Sequence, residues 1–406
     1  MPPQQPVSIL IVTYHPEESV LAGCLTSLMA QSHRPLEVVL IDNGSGPSTE
    51  KLLRQHLQAL ESADISTALR CLHRNTGFAH AMNVALGMVS APLCLLLNPD
   101  TVLDPAAVTE LAEAALAHPD CLGFAPKVKL RAYPTIIDSV GIEFAWSGDA
   151  QQRGLGQIDL GQYDEPEPVP GITMGASLIR RAAFDAAEVG LLDPRFFMFF
   201  EDVDWSLRAA IMGREFRSVP SALVYHVGSA SAQTRAFRWR YALIERNVYY
   251  AAIKNFEGRH LLGVLVRRSL AHMGKVSHGK YPITTMRVLL EVVVGLGRLW
   301  PSRRSVQRTR RRPDRKVCSS VSLGASMDLK TWRPIYSWHN VRDSVRRLAV
   351  VSGDPGWARV WVYLDALTRS HAQVPADRVL RTIEGQVDAV PPALREYIGQ
   401  VDSDEK

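Results

Sequence analysis

Two short stretches of this 406-residue chain hold side chains spaced for chemistry. In the first, an apolar run from Leu93 to Leu97 ends abruptly in Asn98-Pro99-Asp100. One carboxylate on a tight turn can hold a divalent cation and, through it, a diphosphate. Asp100 and the nearby Asp104 also suit an ordinary turn and helix cap, so the stretch alone leaves both readings open. In the second, Glu201, Asp202 and Asp204 follow Phe196-Phe197-Met198-Phe199-Phe200. Acids at a helix start commonly serve the helix dipole. An aromatic surround, however, raises a carboxylate's pKa and lets it act as a base near neutral pH. A third candidate is His226, between a β-rich run and Gly228-Ser229, where an imidazole can face a crevice.

Such residues need a frame, and the hydrophobic pattern supplies one. Val7–Val12, Leu36–Ile41, Ala68–Leu72 and Leu93–Leu97 are short apolar runs, read as buried strands. Helices are expected between them, from Glu17 to Gln31, Ser48 to Leu60 and Ala79 to Val89, and another begins at Asp104-Pro105. Strand and helix alternate, which predicts an α/β, doubly wound sheet of parallel strands. Ligands of open α/β sheets bind beyond the carboxyl ends of the strands. The polar residues there are Thr13 and Tyr14, Asp42 and Asn43, Arg74 and Asn75, and Asn98 and Asp100. No GxGxxG follows the first strand and no GxxxxGK[ST] occurs, so those nucleotide-binding motifs are not the basis of the site.

From Leu130 to Pro170 the pattern weakens, and a partly irregular excursion over the active face is expected. Glu201 opens a helix to about Met212, closed by Gly213, and 216–219 and 222–225 are read as two short strands. A helix is expected from Arg235 to Asn255.

Seven pieces in order, VTYHP, IDNGS, RNTGFAHAMNVAL, LLLNPDT, GASLIRR, FFMFFEDVDWSLR and YHVGSAS, resemble family 2 glycosyltransferases of the GT-A fold. The resemblance spans about Val7 to Asn255 and is nearest to the rhamnosyltransferase-like branch, which builds bacterial cell-surface glycans. It implies inverting transfer from a nucleoside diphosphate sugar to a glycan or lipid-linked acceptor, assisted by Mg²⁺ or Mn²⁺. Matched position by position, it implies that Thr13, Tyr14 and Asp42 line the nucleoside pocket and that Arg74 and Asn83 lie near the nucleotide. Asn75, Asn98, Gly175, Asp204 and Trp205 join the substrate-binding set. Asp100 stands at the last position of the family's DxD motif, with Asn98 departing from its first, and His226 completes the metal or diphosphate site. Asp202 matches the general base, with Glu201 the runner-up. No QxxRW motif is present, so one sugar per encounter is expected. An inactive nucleotide-sugar-binding relative and a nucleotidyltransferase are the alternatives.

The five cysteines form no CxxC pair, and Cys24 and Cys94 lie in apolar segments, which reads as reduced thiols of a cytosolic protein. The amino terminus lacks the basic region of a signal peptide, and no run reaches the length of a spanning helix. The division expected is a GT-A domain over 1–256, an amphipathic and basic segment over 257–316, and a helical appendage over 317–406 containing Trp332, Trp338, Trp357 and Trp361. Thr284–Trp300 is amphipathic, with Arg287, Glu291 and Arg298 on one face, and Arg298–Lys316 is strongly basic. With few aromatics interleaved, the basic run does not read as nucleic-acid binding. It suits either a packed helix or one lying on an anionic membrane, with Arg303, Arg304, Arg310, Arg311 and Arg312 toward the headgroups. The second choice predicts an enzyme held peripherally on the cytoplasmic face of the inner membrane.

Overall fold

The computed structural model describes residues 4–228, 237–277, 282–319, 327–328, 333–370 and 374–404. Strands β1 (Val7–Thr13), β2 (Leu36–Asp42), β3 (Ser66–Cys71) and β4 (Leu93–Leu97) are parallel, in spatial order β4-β1-β2-β3. Ile9, Ile11, Leu95 and Leu97 face a core with α1 (Glu18–Met29) and α2 (Pro47–Ser62). Leu10, Val12, Cys94 and Leu96 face the opposite core with α3 (Phe78–Leu86). Edge strand β3 is only partly buried, whereas both faces of β1, β2 and β4 are covered, which is why these three read as continuous apolar runs. Each such side chain contributes roughly 1.5–3 kcal/mol of burial.

Past β4 the sheet becomes mixed. After β5 (Thr101–Leu103) and α4 (Ala107–Ala117), β6 (Cys121–Leu130) joins it. β11 (Ala176–Arg180) runs antiparallel between β4 and β6, and β12 (Glu215–His226) runs parallel to β6. Helix α5 (Glu201–Ile211) connects β11 to β12 and buries Trp205 and Ala209 on the α3 side.

One expectation is refined and one corrected. The partly irregular stretch from Leu130 to Pro170 contains the short strands β7 (Tyr133–Ser139), β8 (Ile142–Phe144), β9 (Ala150–Gln152) and β10 (Pro168–Val169), with turns and loops between Gln152 and Pro168. Its glycines are turn residues: Gly141, Gly148 and Gly154 have φ of 116°, 89° and 80°. The strands expected at 216–219 and 222–225 are the single strand β12, with a register shift between Val219 and Leu223. Pro220 lies inside that shift, where a missing N–H costs no ladder bond.

Helices α6 (Phe237–Asn255), α7 (Gly258–Ser277) and α8 (Pro282–Thr309) follow. Phe196 and Val203 share a core with Tyr249, Val288 and Leu299, and Val317 and Cys318 belong to it too. The core therefore runs across positions 256 and 316. The last helices are α9 (Trp338–Ser352), α10 (Pro355–Ser370), α11 (Ala376–Glu384) and α12 (Pro392–Asp404). Their own core around Val341, Val345 and Leu364 includes Trp338 and Trp357 and recruits Leu130, Ile136 and Ile158 from the excursion. Arg347 of α9 stacks 4.2 Å from the Tyr163 ring and pairs with Glu167. Trp332 lies outside the described residues, as do Ser229 to Ser231 of the YHVGSAS motif.

The basic run is divided by its packing, which corrects the expectation that all five arginines face outward. Arg303 donates to the carbonyls of Ile253 and Phe256 at 2.6 and 2.7 Å. Arg310 reaches the Asn255 carbonyl and Asp314, and Arg312 pairs with Glu215. Arg303 and Arg310 thus satisfy carbonyls at the carboxyl end of α6, groups that a helix leaves unpaired. Arg304 and Arg311 remain exposed. All five cysteines are free thiols. Among the described residues, no helix is long and apolar enough to cross a membrane.

Candidate active site

The ends of β1, β2 and β3 are stitched together by backbone and amide hydrogen bonds. Asn43 N–H donates to the Thr13 carbonyl and Leu72 N–H to that of Asp42, both at 2.8 Å. Asp42 is buried, and its carboxylate accepts from the Ser45 N–H and hydroxyl. The Asn43 amide accepts from Thr76 N–H at 2.9 Å and donates to Asn75 Oδ1 at 3.2 Å. Gly44 has φ of 90°, and a Cβ there would lie 2.5 Å from the Arg74 backbone, so the two loops meet only with glycine. The result gathers Thr13, Tyr14, Asp42, Arg74 and Asn75 at neighbouring strand ends. Thr13 Oγ1 is buried without a hydrogen-bond partner, while Arg74 is exposed. Asn83 does not join them. Its amide is taken up on both sides by the Leu192 backbone, at 2.8 and 3.1 Å, so its role is to tie α3 to the segment before Pro194.

At the end of β4, Asn98 N–H donates to the Gly175 carbonyl at 2.7 Å. A Cβ on Gly175 would come 3.0 Å from Asn98 Nδ2, so a small residue lets the two segments lie together. Pairing of β5 with β12 sets His226 opposite Thr101, and Val227 N–H donates to the Asp100 carbonyl at 2.8 Å. His226 Nε2 then lies 3.3 Å from Asp100 Oδ2, and its Nδ1 lies 3.1 Å from Asp138 Oδ2. Burial opposes charge on this imidazole, but Asp138 and Asp100 outweigh it and hold its pKa well above the usual value. Burial likewise opposes the Asp100 anion, and the His226 contact outweighs it, lowering the carboxyl's pKa.

Asp138, on β7, is the residue that sequence reasoning missed. It is buried, and its Oδ1 has no hydrogen-bond partner. It stands 88 positions from His226, in a stretch whose strand pattern is broken by glycines, so no local spacing links the two. Among the described residues, no three His, Cys, Asp or Glu side chains form a metal cage. Magnesium commonly takes one or two carboxylates and leaves the rest of its shell to phosphate and water. Asp100 fits that donor set as the one carboxylate, with Asp138 on the far nitrogen of His226 placed to orient the imidazole.

The other carboxylates are delivered by a strained aromatic turn. Phe197, Phe199 and Phe200 have φ of 65°, 67° and 68°, a region bulky residues rarely occupy. Three neighbours hold them there. Asn247 Nδ2 on α6 donates to the carbonyls of Phe196, Met198 and Phe199 at 2.9, 3.0 and 2.6 Å. Arg246 donates to those of Arg195 and Phe196. Gly77, with φ of 86°, lets the Phe197 carbonyl approach to where a Cβ would be 2.4 Å away.

The turn leaves Glu201 buried and Asp202 half-buried at the start of α5. Asp202 Oδ1 accepts from Val203 N–H at 2.8 Å, and the Met174 N–H also supports this carboxylate. Burial nevertheless pushes Asp202 up to about 6. Burial, then the neighbouring Asp202, pushes Glu201 up to about 8, and Glu201 Oε2 has no hydrogen-bond partner. Met174 and Gly175 are adjacent, so one peptide segment touches the base candidate on one side and the Asn98 turn on the other.

Asp204 and Trp205, expected to bind substrate, are core residues. Asp204 is fully buried, neutralised by Lys254 at 2.7 Å and Arg208 at 3.1 Å, and accepts a hydrogen bond from Asn255 at 2.9 Å. Trp205 is also fully buried and donates to the Gly190 carbonyl at 2.8 Å, with its ring between Phe184 and Phe216. A buried Asp with three partners and an enclosed indole hold α5 in place.

Residues 8–186 match the family model for glycosyl transferase family 2. Over 242 residues the chain is 27% identical to an N-acetylglucosaminyl-diphospho-decaprenol L-rhamnosyltransferase of Mycobacterium tuberculosis, covering 54% of this chain and 75% of that protein. Over 100 residues it is 32% identical to a teichoic acid poly(glycerol phosphate) polymerase of Staphylococcus epidermidis, covering 25% of this chain and 14% of the polymerase. The fold is similar to that of GalNAc-T7, solved with UDP, GalNAc and Mn²⁺, at a TM-score of 0.50 and 15% identity over 64% of this chain and 49% of the other. The chain thus carries a family 2 glycosyltransferase region over residues 8–186, and its sheet and crossover helices form a GT-A fold with helices added at the carboxyl end.

Proposed function

We propose that the chain transfers a sugar, rhamnose by preference, from a nucleoside diphosphate sugar to a hydroxyl of a glycan or lipid-linked acceptor. One sugar moves per encounter, with inversion at the anomeric carbon. The observation that carries this reading is the Met174–Gly175 segment, which joins a carboxylate of raised pKa to the Asp100 turn. Similarity to the mycobacterial rhamnosyltransferase over 242 residues supports the choice of sugar and of a lipid-linked acceptor. Such an acceptor places the enzyme at the cytoplasmic face of the inner membrane.

In this reading Thr13, Tyr14, Asp42, Arg74 and Asn75 bind the nucleoside, the unpartnered Thr13 hydroxyl being free to do so. The acceptor oxygen attacks the anomeric carbon as the bond to the diphosphate breaks, and Asp202 takes the hydroxyl proton, a contribution of about 10²–10⁴ in rate. Glu201 is the alternative base. Asp100 and His226, with Asp138 behind them, would hold a divalent cation, Mg²⁺ or Mn²⁺, which when bound neutralises a leaving diphosphate.

The test is donor turnover by the purified full chain, beginning with dTDP-rhamnose and continuing through UDP- and GDP-sugars. Nucleoside diphosphate should be released, and Asp202→Asn should stop transfer while calorimetry still detects nucleotide binding. Release of pyrophosphate from a nucleoside triphosphate supplied with a sugar 1-phosphate would identify a nucleotidyltransferase instead. Binding without any turnover across the panel would identify an inactive relative.

A further inference from the structure

Helices α7 and α8 pack on α6 and on each other, yet each is apolar on its outward side as well as its inward one. On α8 the inward face is Thr285, Val288, Val292, Gly295 and Leu299. Outward, Met286, Leu290, Val293 and Trp300 recur every three to seven residues, exposed by 48% (Trp300) to 64% (Leu290). On α7, Leu262, Val266, Leu270 and Met273 form a second stripe, exposed by 49% (Val266) to 63% (Leu262). A helix packed only on its own protein is polar outside. Two neighbouring helices with large apolar side chains outside form a patch of the kind that marks a binding surface.

Charge identifies what covers it. From Gly258 to Thr309 the sequence has ten Lys and Arg residues and a single acid, Glu291; the rest of the chain has 36 basic and 40 acidic residues. Glu291 is itself engaged by Arg287 at 2.8 Å. Arg304 and Arg308 continue the outward line of α8 beyond Trp300, and Arg259 and Arg267 are exposed on α7. The inward arginine is Arg303, already bound to α6 carbonyls. A second copy of the chain docked face to face would bring these basic residues against their own kind. An anionic surface with an apolar interior matches both features.

We infer that the outward faces of α7 and α8 together seat the protein on an anionic lipid bilayer, apolar side chains at the acyl boundary and Arg304 and Arg308 among the headgroups. This is interfacial docking, with both helices lying in the membrane plane. It rests on the glycosyltransferase reading only for the choice of membrane face.

Flotation of the full chain with vesicles tests it, using phosphatidylcholine alone or mixed with phosphatidylglycerol, without donor or acceptor. The protein should float with the mixed vesicles and not with phosphatidylcholine alone, and less as salt rises. Leu290→Glu with Val293→Glu should abolish flotation, and so should Leu262→Glu with Leu270→Glu. Arg304→Gln with Arg308→Gln should weaken partitioning about 30-fold, from about 1 kcal/mol for each basic residue at an anionic surface. Unchanged thermal unfolding shows that the variants fold.

Failure to float at low salt overturns the inference, as does equal flotation with both vesicle types. A dimer in solution that Leu290→Glu with Val293→Glu dissociates, with no flotation of the parent protein, would assign the face to self-association. No arm requires turnover, so loss of this inference is separable from loss of the proposed activity.

Discussion

Asn247 is expected to control catalysis although it lies on α6, outside the crevice. Three residues of the aromatic turn sit at positive φ, at about 1–2 kcal/mol each for residues with a Cβ, so roughly 3–6 kcal/mol of local strain is being held. Asn247 supplies hydrogen bonds to three carbonyls of that turn. Its two N–H groups are shared among the three acceptors, and at about 0.5–1.5 kcal/mol each they offset roughly 1–3 kcal/mol. In Asn247→Ala the remaining anchors, Arg246 and the close approach at Gly77, are outweighed, and the turn relaxes. Total stability of about 5–15 kcal/mol leaves the protein folded. The carboxylates at the start of α5 then lose their position. Displacement by about 1 Å costs on the order of 10²-fold in rate, so a 10- to 100-fold fall in kcat is expected. KM for the donor should change little, because the proposed nucleoside contacts lie at the ends of β1, β2 and β3. The assay is nucleoside diphosphate release against donor concentration, paired with thermal unfolding. Val292→Ala is the control, since it opens the same core from α8 while leaving the Asn247 hydrogen bonds to the turn in place. Wild-type kcat in Asn247→Ala would refute the reasoning. An equal loss in Val292→Ala would reduce the effect to general destabilisation.

The pH profile should identify the base. A base works ionised, so with Asp202 raised to about 6 the rate should fall as pH drops below about 6 and level off above it, and Asp202→Asn should remove that limb. A limb near 8 instead, lost in Glu201→Gln, would move the role to the neighbour. Asp138→Asn should weaken Mn²⁺-dependent nucleotide binding about 10- to 100-fold by calorimetry, the usual cost of losing the partner that orients a metal-site histidine. Unchanged Mn²⁺ affinity would leave Asp138 a purely structural residue. Asp100→Ala should abolish the cation dependence of nucleotide binding, and full activity of the parent protein in excess EDTA would remove the cation role from Asp100 and His226 together.

The parallel half of the fold was legible because burial on both faces writes itself as a run such as Leu93–Leu97, and because polar residues stop each run where the crevice begins. The antiparallel β11 was not. Ala176–Arg180 is as buried as its neighbour β4 over its first four residues, and composition does not reveal direction. The strands within the excursion are hidden for a related reason: glycines at positive φ make tight turns between strands too short to establish a period of two. Asp138 was lost with them, since a carboxylate inside an unrecognised strand looks like a solvated one. Asp204 and Trp205 erred in the other direction. Their neighbours in EDVDWSLR resemble a site, but helical spacing sends Asp204 inward to Lys254, and only the fold brings that cation within reach.

The helices beyond the sheet are coupled to the site by a continuous set of contacts. Arg303 and Arg310 bind the last carbonyls of α6. Lys254 and Asn255, in that same last turn, hold Asp204 of α5. Two turns earlier, Asn247 holds the aromatic turn that opens α5. Thus α6 fixes the start of α5 through two separate sets of contacts, and α8 fixes α6. The outward face of that same α8 is the one inferred to rest on lipid. A surface that seats the enzyme therefore shares one rigid element with the scaffold of its base, and a catalytic unit ending near position 256 would lose the arginines that finish α6.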